Sequence, residues 1–149
     1  MAGILLDRLQ GYKEAAEKAA MLQTAAAIKS ALQMRVASYL ISGRESKIER
    51  LRGENPITWL QEPPADYIGE FHADAYARVR PGSWYFNLAR RELIYVLRLG
   101  SNFKPAADGR MWVRYRVRIE YDEIREKDAA PRKVLSAVTF APVQPLVWF

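Results

Sequence analysis

The sequence predicts an α+β domain, with one long amino-terminal helix packed on an antiparallel sheet of about four strands. Three observations carry this expectation. There is no proline before Pro56 and, after Gly11, no glycine until Gly43, while Ala, Leu, Lys, Gln and Glu fill the stretch between; these are strong helix formers. Met111 to Tyr121 alternates strictly, with Met111, Val113, Tyr115, Val117, Ile119 and Tyr121 on one side and Trp112, Arg114, Arg116, Arg118 and Glu120 on the other, the period of a strand with one buried face. Between these segments lie Asn55-Pro56, Pro63-Pro64 and Pro81-Gly82, which are turn signals. The expected organisation is one domain over 1–149, made of a helix at 3–41, a connecting region at 42–81 and a sheet at 82–149.

The helix divides into two halves. In the first, Leu5, Leu9, Tyr12, Ala16 and Ala19 make a narrow apolar stripe, and Asp7, Arg8, Lys13, Glu14, Glu17 and Lys18 fill the other face. Glu14 with Lys18, and Lys13 with Glu17, read as i, i+4 pairs on a solvated surface. In the second half Met21, Ala25, Ile28, Leu32, Val36 and Tyr39 form a stripe that Ala27, Ala31, Met34 and Ile41 widen, so this half is expected to be buried. At about 1.5 Å per residue the whole segment reaches roughly 58 Å, longer than so small a sheet can cover.

The helix is expected to stop at Ser42-Gly43, where glycine supplies the left-handed terminal position. Ser46 to Leu51 reads as a short second helix with Ile48 and Leu51 inward, and Pro56 opens a turn holding Ile57, Trp59 and Leu60. Ala65 to Pro81 reads as an irregular connection anchored by Tyr67, Ile68 and Phe71. Expected strands are Trp84–Leu88, Glu92–Leu99, Met111–Tyr121 and Val134–Val143, the last limited to an edge by Pro142. Asp108-Gly109 marks a turn, Asp122 to Lys133 a polar loop, and Pro145 to Phe149 an apolar tail.

Composition narrows the chemistry. The 23 Lys and Arg against 17 Asp and Glu give a net charge of +6, so nucleic acid, anionic lipid or an acidic protein face are the physical candidates for a partner. With no cysteine, a disulfide, a thiol nucleophile and a thiolate metal site are excluded. The sequence has no apolar run long enough to span a membrane and no signal peptide. His72 is the single histidine and reads as a surface loop residue. Ser30, Ser38 and Ser42 lie on or at the end of the helix with no nucleophile elbow, and no phosphate-binding glycine motif occurs. No catalytic residue, cofactor or metal site is expected, and the chain does not read as an enzyme. Asp122, Glu123, Glu126 and Asp128 gather carboxylates that calcium could use, but Arg125 and Lys127 interleave and oppose a divalent cation.

The residues that carry a family likeness are Ala2-Gly3-Ile4-Leu5-Leu6, then Asp7-Arg8-Leu9-Gln10-Gly11-Tyr12, then Trp59-Leu60 with Pro63-Pro64, and Pro81-Gly82-Ser83-Trp84-Tyr85-Phe86 leading into Leu93-Ile94-Tyr95. In these the chain resembles a type IV pilin-like protein, most of all a type II secretion pseudopilin or a minor prepilin. The first stretch is similar to the end of that family's apolar run, and the second to its passage into polar helix. The family's basic leader and its Gly-Phe-Thr-Leu-Ile-Glu start are not in this sequence, so its cleavage residue, modified Phe and register Glu are carried onto no residue here. The resemblance implies a structural subunit of a pseudopilus or pilus, anchored in the inner membrane and facing the bacterial periplasm, of which this chain is an N-terminally shortened soluble fragment. Its partners would be other pilin or pseudopilin subunits and the assembly machinery. Subunit contact is expected at Leu5, Leu9, Tyr12 and Ala16, with charges such as Arg8, Glu14 and Lys18 setting stagger. The alternative is a minor pilin that binds DNA or an acidic partner through Arg114, Arg116 and Arg118, with Trp112 beside them; against it, the same comb reads as a solvated strand face paired with Glu92 and Glu120. Arg44, Lys47, Arg50 and Arg52 form a second basic cluster.

Overall fold

A computed structural model describes residues 2–149. The helix α1 (Ala2–Ile41) runs unbroken for 40 residues. It ends where Gly43 takes φ of 69°, with Arg44 N donating to Tyr39 O at 2.8 Å, the 6→1 closure that a left-handed glycine permits. Two short 3₁₀ turns follow, Glu45–Gly53 and Pro56–Trp59. The first buries Ile48 and Leu51, and the second is capped by Asn55, whose Oδ1 accepts Ile57 N at 3.1 Å.

The strands are β1 (Tyr67–Phe71), β2 (Ser83–Asn87), β3 (Glu92–Val96), β4 (Trp112–Ile124) and β5 (Arg132–Pro142). They form one five-stranded sheet in the order β1-β2-β3-β4-β5. The meander β2 to β5 is antiparallel, while β1 pairs parallel to β2. The sheet is therefore mixed and has one strand more than expected. β1 lies inside the stretch read as an irregular connection. Its five residues include Gly69 at φ of 119° and a register shift, so it lacks the clean alternation by which strands are recognised. Parallel pairing requires a crossover, and residues 72–82 provide it across the outer face of the sheet. There Ala75 and Val79 cover Tyr85, Ile94 and Val96. Strands β2 and β3 are thus buried on both faces.

The main core lies between α1 and the inner face. Met21, Ala25, Ile28, Leu32 and Val36 meet Trp84, Phe86, Leu93, Tyr95, Tyr115, Val117 and Phe140. The inward stripe of the second helical half is as expected, and its widening holds at Ala31, which packs against the core, but not elsewhere: Ala27 is exposed, and Met34 and Ile41 are 74% and 88% exposed. They lie about half a turn round the helix from Ile28 and Leu32. The last hairpin is also longer than expected, because β4 and β5 stay paired out to Ile124 and Arg132.

Candidate functional site

Two surfaces of the described residues gather the side chains singled out in the sequence. The first is α1. Leu5 and Tyr12 are 72% and 73% exposed and Leu9 50%, and Ala16 is exposed with them. Ile4 and Leu6, each 60% exposed, widen the apolar side of this end, while Asp7, Arg8 and Gln10 keep the rest of its circumference polar. At 100° per residue, Leu5, Leu9, Tyr12 and Ala16 fall on one line with Gln23, Ala27, Met34 and Ile41. That line is exposed, carries no charge, and lies opposite the stripe that faces the sheet. Sequence reasoning found its first four residues. It missed the rest because Ala27, Met34 and Ile41 are apolar and so read as a widening of the inward stripe.

Three charged residues of the first half, Glu14, Glu17 and Lys18, leave the solvated face, whereas Asp7, Arg8 and Lys13 stay exposed. Glu14 is 2% exposed. Its carboxylate accepts Asn102 N at 2.7 Å, Asn102 Nδ2 at 3.1 Å and Trp148 Nε1 at 2.9 Å. Glu17 accepts the Tyr95 hydroxyl at 3.0 Å, Arg98 N at 2.9 Å and Leu99 N at 2.8 Å. Lys18 donates to Trp148 O at 2.6 Å. The expected pairs of Glu14 with Lys18 and Lys13 with Glu17 do not form; these carboxylates satisfy main-chain donors of the β3–β4 loop instead. The apolar tail explains the difference. Trp148 pairs with Phe103 and sits at 1% exposure over Glu14, so loop and tail together clasp α1. Burial, and then the neighbouring Glu17 charge, push the Tyr95 hydroxyl well above its ordinary pKa.

The second surface is the outer face of β4. Arg114 Nη1 and Arg116 Nη2 reach the fully buried Glu92 carboxylate at 2.9 and 2.8 Å. Arg114 also lies over the Trp112 ring at 5.4 Å. Trp112 is taken up by Tyr76, Arg110 and Asp108, leaving no free aromatic platform. Glu120 joins no ion pair among the described residues, and neither does Arg118. The three-arginine comb therefore separates into two residues bound to one buried carboxylate and one that is free. The Asp122–Asp128 carboxylates are exposed. Glu123 and Glu126 face Arg125 and Arg132 at 3.8 and 3.9 Å, and no group of three or more potential metal ligands gathers among the described residues. His72 is exposed. No helix among the described residues is long and apolar enough to cross a membrane. No protein-family model, curated protein or solved structure matches the chain.

Proposed function

We propose that this chain is a structural subunit of a type IV pilus or a type II secretion pseudopilus, a pilin-like protein that assembles through α1 and acts by assembly rather than catalysis. One observation carries the reading: the apolar side chains Ile4, Leu5, Leu6, Leu9 and Tyr12 stand free of their own domain, and the side marked by Leu5, Leu9 and Tyr12 continues as an uncharged exposed line to Ile41. Apolar area of this extent on a helix calls for other helices. A head-to-tail contact between copies extends into a fibre when it does not close. The sheet then faces outward and meets neighbours or cargo. In this reading the full-length protein is held in the bacterial inner membrane by the segment preceding Gly3, with the domain in the periplasm.

The absence of cysteine gives a clean test. With Leu9→Cys in the full-length gene product, made in cells that carry the assembly machinery, a bifunctional thiol cross-linker is expected to give a linked pair of copies, since each copy then offers one thiol. Monomer alone, with the variant folded and the machinery present, would overturn the proposal.

A further inference from the structure

The ladder between β3 and β4 stops early. Its last register pair is Leu93 with Tyr115, whereas β4 stays paired with β5 as far as Ile124. From Val117 onward the β3 side of β4 has no strand against it. The ladder fixes which residues face that side. Leu97 N donates to Met111 O, and antiparallel bonding alternates, so odd-numbered residues point their main-chain groups toward β3, Val117 and Ile119 among them. The space left where β3 should continue is a notch of about 590 Å³. Val117 and Ile119 line its floor, and its walls carry Arg52, Arg90, Arg91, Arg116 and Arg118.

Arg116 already holds Glu92 and Arg52 lies 3.5 Å from Glu49, while Arg90, Arg91 and Arg118 join no ion pair among the described residues. Arg91 adopts φ of 55°, a left-handed conformation uncommon for a residue with a side chain. Asn87 Oδ1 fixes the turn by accepting Ala89 N and Arg90 N at 3.0 and 3.1 Å, and Arg91 Nη1 donates to Gly53 O at 3.0 Å. Arg116 Nε is buried with no partner. Arg90 and Arg118 are exposed.

The geometry points to this notch as the docking site of an extended, acidic peptide segment of a partner protein, which continues β3 along the open edge of β4. The peptide main chain meets Val117 and Ile119, as in strand addition, and its Asp or Glu side chains take the guanidinium groups, which match a carboxylate bidentately. Duplex DNA fits less well. It spreads charge along its whole length and would reach past the notch, where five arginines outnumber Glu49 and Glu120, onto the exposed Asp122 and Glu123 beyond. The notch also offers no aromatic ring for a base. The site is independent of assembly through α1.

The probe is a capped peptide of alternating Glu and Thr, titrated onto the chain at low salt. Saturable binding is expected, weakening as salt rises. Arg90→Glu with Arg118→Glu should weaken it at least about tenfold. Lys29→Glu with Lys127→Glu, which changes net charge equally, should weaken it no more than about twofold. Methylating alternate amide nitrogens of the peptide should abolish binding. The proposal is overturned by no binding at low salt, by equal losses in the two double variants, by indifference to amide methylation, or by duplex DNA binding more tightly than the peptide.

Discussion

Ile4, Leu5 and Leu9 are the same kinds of residue as Ile28 and Leu32, on the same helix. Yet the first three are 60%, 72% and 50% exposed and the last two 0%. Helical propensity and side-chain chemistry do not distinguish them; what lies opposite does. The sheet covers α1 from Met21 to Val36 with apolar side chains. Toward the amino terminus the cover changes in kind, and loop and tail grip the helix through Glu14, Glu17 and Lys18. Before Gly11 every described residue of the helix is exposed. One helix thus passes from apolar packing, through a polar clasp, to a free end.

That gradient can be broken residue by residue. The largest effect is expected in the packed region: Leu32→Ala or Ile28→Ala should cost about 2–5 kcal/mol by denaturant unfolding, the transfer and cavity cost of a well-packed aliphatic. Glu14→Ala should come next, at about 1–3 kcal/mol, because it leaves the buried Trp148 Nε1 and Asn102 donors without an acceptor. Glu14→Gln should recover part of that loss, since an amide oxygen still accepts. The tail's Trp148 fluorescence should change in both. Leu5→Ala, at the free end, should stay within about 0.5 kcal/mol of the parent.

Alkaline pH sharpens the comparison from the sheet side. Burial raises the Tyr115 hydroxyl from 10.0 to about 12, and Tyr85 and Tyr95 shift in the same direction. A phenol that keeps its proton longer in the folded chain favours folding below pH 10, and that contribution is lost as pH rises from 10 toward 12. Melting temperature should fall over that interval, and the unfolding transition should carry a step in tyrosinate absorbance as the buried rings lose their protons.

Much of this molecule was legible in its residues. Proline and glycine placement marked α1 and its end, and the alternation from Met111 marked β4. The stripe from Met21 to Val36 named the helical side of the core. What stayed hidden depended on contacts between distant segments. β1 is held by parallel pairing across a crossover loop, and its own pattern is interrupted at Gly69. Glu14 and Glu17 looked like surface charges because their partners, Asn102, Trp148, Tyr95 and Leu99, lie more than seventy positions away. The arginines of β4 showed as a comb in the sequence, but only the fold reveals that Glu92 occupies two of them and that β3 ends short beside the third.

The central claim is that the outer side of α1 belongs to neighbouring copies and not to its own domain. The most direct measurement pairs Leu9→Asp with Ile28→Asp in the full-length protein, scoring fibre yield alongside the melting of the globular domain. The account predicts that Leu9→Asp removes fibres while melting is unchanged, and that Ile28→Asp loses both together. Normal fibres from a folded Leu9→Asp protein, or a domain that unfolds as badly as with Ile28→Asp, would contradict it.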